Sequence, residues 1–129
     1  MTDWQARARP LGPMIDAAAA ADEQARFVSP EVVRAIDEAG LYAMMAPREV
    51  GGGEAHPVEQ IEAIAELSYW DGSTGWYAHA VMTGGGVAGA YLGDAAVAQV
   101  FPGGRYAHCA GQVAPTGRAV PDGDGYRLT

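Results

Sequence analysis

Ala39-Gly40-Leu41-Tyr42-Ala43-Met44-Met45-Ala46-Pro47-Arg48-Glu49-Val50-Gly51-Gly52-Gly53 decides the fold, because this stretch cannot be one helix and is bracketed by two that can. Gly40 suits the left-handed position that ends many helices. Leu41 to Met45 is a short apolar run, Pro47 breaks it, and the three glycines make a flexible turn. Upstream, Ser29-Pro30-Glu31 has the form of a helix start. The serine can accept a bond from a free N–H, the proline needs no donor at the first position, and the glutamate complements the positive helix end. Val32, Val33, Ile36 and Ala39 then recur at helical spacing. Further back, the alanine-rich run from Pro13 to Arg26 predicts another helix, with Met14, Ile15, Ala18, Ala21, Ala25 and Phe27 giving it an apolar side.

Downstream, His56-Pro57 restarts helix. From Val58 to Tyr69, Glu59, Glu62 and Glu66 share one face while Val58, Ile61, Ile64, Ala65 and Ser68 take the other, which predicts an amphipathic helix. Asp71-Gly72-Ser73 caps a further helix expected to run to about Thr83, where Gly84-Gly85-Gly86 loosens or ends it. Asp94 caps a short helix to Phe101, stopped by Pro102-Gly103-Gly104. Beyond Gly104 the helical periodicity is lost. Arg118 to Val120 and Tyr126 to Leu128 flank Pro121-Asp122-Gly123-Asp124-Gly125, the pattern of a β-hairpin. The chain therefore reads as mainly α, with a helical domain over 1–104 and the start of a β-domain over 105–129. A two-stranded hairpin leaves unpaired backbone groups, and Thr129 falls inside its second strand, so the expectation is a piece of a longer protein.

Composition narrows the function classes. The 129 residues are 49% hydrophobic, enough for one core, and carry a net charge of −8. That charge repels nucleic acid and anionic lipid, so neither is an expected partner. Cys109 is the single cysteine, which excludes an internal disulfide and a multi-cysteine zinc site and suits a reducing cytoplasm. The run Ala17 to Ala21 lies between Asp16 and Asp22 and is too short to span a bilayer. His56 and His108 lack companions at ligand spacing, so no metal is expected. Gly84-Gly85-Gly86-Val87-Ala88-Gly89 matches G-x-G-x-x-G, but it follows a helix rather than a strand, which argues against a dinucleotide site.

The order of these features resembles the acyl-CoA dehydrogenase superfamily, whose members open with a helical domain and continue into a β-domain. Three stretches carry the likeness. Ala39-Gly40-Leu41-Tyr42 through Pro47-Arg48-Glu49-Val50-Gly51-Gly52-Gly53 is similar to the family's loop between early helices. Ile64-Ala65-Glu66-Leu67 with Asp71-Gly72-Ser73-Thr74-Gly75-Trp76 is similar to its helix pair beside the substrate pocket. Ala114-Pro115-Thr116-Gly117-Arg118-Ala119 with Gly125-Tyr126-Arg127-Leu128-Thr129 is similar to the first hairpin of its middle domain. The run Val113 to Gly117 and the run Gly72 to Trp76 lean toward the reduced-flavin-dependent hydroxylases of this fold. Gly84 stands where that branch often places a histidine, and Ala110 and Gly111 stand where it often has serines.

The resemblance implies an N-terminal portion of a flavin-dependent oxidoreductase, with FAD ahead of reduced FMN, acting on an acyl-CoA or an aromatic substrate. The remainder of the protein would supply the catalytic base, and the complete form would be a homo-oligomer. It implies that Gln112, Val113, Ala114 and Thr116 approach the flavin ring, where backbone donors stabilise the reduced cofactor. It also implies that the helix bearing Trp76, His79, Ala80 and Thr83 borders the substrate cavity, with His79 able to exchange a proton near neutral pH. Residue by residue, plainer readings stand beside these: turn residues at Pro115 and Gly117, a packed histidine at position 79, and a solvated acidic face at Glu59, Glu62 and Glu66. A non-catalytic helical interaction module is the competing reading of the whole chain.

Overall fold

A computed structural model describes residues 2–106, 108–111, 114 and 116–129. Asp3 starts the first helix, α1 (Trp4–Ala8), by accepting the Ala6 N–H at 2.8 Å. A 3-10 turn over Arg9–Leu11 leads into α2 (Gly12–Ala25), which closes on Arg26 in the left-handed conformation (φ 62°). Asp22 then reaches forward and accepts the Ser29 N–H at 2.9 Å. The next helix, α3 (Pro30–Glu38), begins at the expected place, but the Ser29 hydroxyl makes no capping bond. Gly40, at φ 70°, follows its end as its reading requires.

The loop from Leu41 to Ala55 is a buried element, not a flexible link. Leu41, Tyr42, Met44, Ala46 and Ala55 are all buried. Its backbone pays no desolvation penalty because it pairs with itself: Gly53 N–H donates to Ala43 (2.8 Å), Ala55 to Met44 (3.0 Å) and Glu54 to Ala46 (3.0 Å). Gly53 is needed for close approach, since a Cβ there would overlap the buried Trp4 ring. The Arg7 guanidinium stands over that ring, 5.2 Å from its centroid, and also donates to the Ala39 carbonyl at 3.2 Å.

Helix α4 (Pro57–Trp70) opens with a reciprocal cap. Val58 N–H donates to His56 Nδ1 (3.3 Å), and His56 N–H donates to Glu59 (3.0 Å). The faces differ from those the carboxylate spacing suggests. Ala63 and Leu67 are the buried residues, whereas Val58, Ile61 and Ala65 are exposed. The cause is α1, which packs on α4 from the glutamate side. Glu66 is largely covered there, accepting from Gln5 Nε2 at 3.1 Å and pairing with Arg9 at 3.6 Å.

Asp71 accepts the Thr74 N–H and starts α5 (Gly72–Tyr91). This helix passes straight through Gly84-Gly85-Gly86 instead of ending at Thr83. Each helical glycine costs about 1 kcal/mol against alanine. Tertiary packing offsets that cost, because other segments cross the helix where side chains are missing. A Cβ on Gly86 would stand 3.0 Å from the Met45 carbonyl, and one on Gly89 would stand 2.9 Å from Val50 and 3.0 Å from Pro47. The last helix, α6 (Asp94–Val100), has Gly93 at its cap position, so Asp94 is its first residue and not its cap. Strands β1 (Ala119–Asp122) and β2 (Gly125–Leu128) then pair antiparallel, Asp122 opposite Gly125, with Gly123 at φ 65° in the turn. Aliphatic and methionine side chains from α1 to α5 and from the Leu41–Ala55 loop, with Trp4 and Tyr42, form the single core cluster found among the described residues. Among those residues no helix is long and apolar enough to cross a membrane.

Two glycines should respond in opposite senses. A Cβ on Gly12 would overlap the Trp70 indole, whereas one on Gly85 meets nothing within 4 Å. Urea denaturation is expected to show Gly12→Ala destabilised by about 1–3 kcal/mol and Gly85→Ala stabilised by about 0.5–1 kcal/mol.

Candidate active-site groove

One face of α5 lines a groove of about 540 Å³. Trp76, His79 or Ala80, Thr83, Val87 and Tyr91 follow one another along it at three- and four-residue steps. Cys109, Ala110 and Gly111 complete its lining from the segment after α6. The lining is mostly apolar and uncharged, with His79 its one imidazole. Trp76 is 73% exposed and its ring centroid lies 5.9 Å from that of the half-buried His79, at an interplanar angle of 50°. The Thr83 hydroxyl donates to Met45 Sδ at 3.7 Å, a weak bond that leaves its oxygen able to accept another.

The segment carrying Cys109 is held to the helices at three points. The Tyr106 hydroxyl donates to the Val50 carbonyl at 3.3 Å. The His108 ring sits edge-on to Tyr42 at 4.8 Å, and its Nδ1 lies 3.2 Å from the Tyr77 hydroxyl. Cys109 itself rests against Gly84, where a Cβ would stand 2.7 Å from the Cys109 Cβ. Burial raises the Tyr106 phenol above its ordinary pKa. Tyr42 is raised much further, first by burial and then by Tyr77 and the nearby Asp37 charge, and its hydroxyl donates to the Val33 carbonyl at 3.3 Å.

The helix residues expected at a cavity, Trp76, His79, Ala80 and Thr83, are thus brought together on one wall. Ala114, on a bend, and Thr116 are both exposed, and neither is among the residues lining this groove. Gln112 and Val113 lie outside the described residues. Sequence reasoning missed Val87, Tyr91 and Leu92 because it ended the helix at the glycines. The signal was the same three-and-four spacing, carried two turns farther. Cys109 to Gly111 had no local signal, since a long-range contact puts them there. Among the described residues no three His, Cys, Asp or Glu side chains are grouped to hold a metal.

The fold is thus a helical domain with a largely apolar, uncharged groove along α5, followed by a two-stranded hairpin. Residues 12–101 match the family described as acyl-CoA dehydrogenase, N-terminal domain, and the chain belongs to that family. Indole-3-acetate monooxygenase of Acinetobacter baumannii is 37% identical over 73 residues, which are 57% of this chain and 17% of that protein. The flavin-dependent monooxygenase oxygenase subunit HsaA of Mycobacterium tuberculosis is 36% identical over 66 residues, 51% of this chain and 17% of that protein. Among solved structures, XiaF from Streptomyces, in complex with FADH2 and glycerol, superposes with a TM-score of 0.86 at 30% identity, covering 97% of this chain and 31% of that one. The HsaA crystal structure superposes at 0.79 with 28% identity, covering 98% and 34%. The chain therefore spans about a third of the length of these solved structures.

The buried Tyr42 makes stability fall in alkali. The unfolded phenol ionises near pH 10, while the folded one keeps its proton to higher pH. Its contribution is fully present below pH 10 and is lost as the pH rises beyond it, by up to about 1.4 kcal/mol per pH unit. Denaturation followed from pH 8 to 11.5 is expected to show this decline, and Tyr42→Phe should flatten it.

Proposed function

We propose that this chain is the N-terminal wall of a flavin-dependent monooxygenase in which the α5 groove receives a flat aromatic substrate. The observation that carries the reading is the lining itself: an exposed indole at Trp76, small residues at Ala80, Gly84 and Ala88, and no charged side chain among the residues named for it. Such a surface suits an uncharged ring system, which gains by burying apolar area against aromatic and small side chains. The similarity to indole-3-acetate monooxygenase, HsaA and XiaF supports the same branch over dehydrogenation of an acyl thioester.

Ala114 and Thr116 are exposed, which leaves them open to contact with a bound flavin. With Gln112 and Val113 they would hold it, and FAD is the form we favour. When bound, the reduced cofactor supplies the electrons that allow one atom of molecular oxygen to enter the substrate and the other to leave as water. Trp76 orients the substrate ring by stacking, Thr83 offers an acceptor oxygen, and His79 exchanges a proton with a ring hydroxyl. The lone cysteine and acidic surface support a reducing cytoplasmic setting.

The complete reading frame, expressed and supplied with enzymatically reduced FAD and an indole or phenol panel, should incorporate oxygen into one of these substrates. His79→Ala should lower kcat by about a hundredfold, the lower range for a general acid–base group, without loss of FAD binding. Reduction of bound flavin by an acyl thioester under anaerobic conditions, with no oxygenated product from any aromatic, would overturn the reading in favour of dehydrogenation.

A further inference from the structure

We propose that the segment bearing His108, Cys109, Ala110 and Gly111 forms a separately anchored wall of the α5 groove, and that Gly84 and Tyr77 are the positioning residues that set how closely this wall approaches the helix. The inference rests on the groove being the ligand site, as argued above. Two independent contacts carry it. Gly84 lines the groove and at the same time touches Cys109, where an added Cβ would stand 2.7 Å from the Cys109 Cβ and 3.0 Å from its carbonyl oxygen. A separation under 3.0 Å between two Cβ atoms forces one backbone to move. Helix α5 is fixed by the core through Ala78, Val81 and Met82, so the segment is what moves. His108 is exposed, with its Nδ1 3.2 Å from the Tyr77 hydroxyl and its ring centroid 4.8 Å from that of Tyr42. The phenol of Tyr77 thus ties His108 directly to α5, while the Tyr106 hydroxyl holds the start of the segment to the Val50 carbonyl.

The consequence for the ligand is steric. Cys109, Ala110 and Gly111 line the same groove as Ala80, Thr83 and Val87, so the approach set at Gly84 bears on the space available to a ring between segment and helix. The same glycine leaves the groove floor without a side chain. A larger residue at position 84 would both raise that floor and push the wall away.

Cys109 is half-buried and is the single thiol of the 129 residues, which makes the wall directly measurable. Trypsin releases it on the peptide 106–118, between Arg105 and Arg118, so maleimide labelling can be followed by mass spectrometry in a chain of any length. Gly84→Ala is expected to label about tenfold faster than the parent, as overpacking shifts the segment to its open state. Tyr77→Phe, which keeps the ring, should label about threefold faster through loss of one hydrogen bond. Gly85→Ala, with nothing within 4 Å of its Cβ, should label at the parent rate. Indole should protect the thiol in the parent and in Gly85→Ala, and should fail to protect it in Gly84→Ala, a difference that a general loss of stability would not produce. Should Gly84→Ala not fold, as judged by its circular dichroism, Tyr77→Phe still decides the matter. Parent-like labelling of both variants, absence of indole protection in the parent, or protection that persists in Gly84→Ala would overturn the proposal. None of these readouts needs flavin or turnover, so a failure of monooxygenation leaves them intact and the two readings fail separately.

Discussion

Backbone contact at glycine is the constraint on which this domain depends. Helix α5 is crossed by the loop carrying Met45, Pro47 and Val50 and by the segment carrying Cys109, and both crossings fall on residues without a side chain. Were those positions alanine, the helix would be intrinsically more stable and the domain less so. Local propensity is sacrificed by roughly 1 kcal/mol per glycine to let main chain approach main chain. The groove follows from that choice, because the glycine that admits Cys109 also keeps one side of the cavity bare.

The Leu41–Ala55 loop is the second determinant. Its regular structure is limited to two 3-10 turns, Leu41–Ala43 and Arg48–Val50, yet it contributes five of the buried residues. It can do so because its amides and carbonyls bond among themselves, leaving only apolar side chains to meet α5 and α1. Tyr42 links this loop to the groove wall: its hydroxyl is spent on the Val33 carbonyl, and its ring packs against that of His108. A buried aromatic thus serves the core and the cavity at once. Glu66 is a parallel case on the other side, where a carboxylate that spacing alone places in solvent is held by Gln5 and Arg9.

Helix starts were legible in the sequence wherever a short-range signal governs them. Pro30, Pro57 and Asp71 mark α3, α4 and α5 correctly, and the turn at Gly123 sits inside the predicted hairpin. What was not legible depended on partners distant in sequence. The exposed positions of Val58 and Ile61 follow from where α1 docks, and α1 itself is too short to show a period. The passage of α5 through three glycines follows from what crosses it. The same holds for the groove: Trp76, His79 and Thr83 share a face by local geometry, whereas Cys109 joins them only because residues 25 positions apart pack in three dimensions.

The hairpin has two chemically different sides. Pairing places Ala119, Pro121, Tyr126 and Leu128 on one face, and Val120, Asp122 and Arg127 on the other, where Arg127 and Asp122 form an ion pair at 3.7 Å. Every residue of both strands is exposed. A ribbon of that kind draws little cohesion from itself. Arginines at 118 and 127 bracket it, so in a chain without neighbours it would be an early target for a trypsin-like protease, which would trim this end and leave the helices whole.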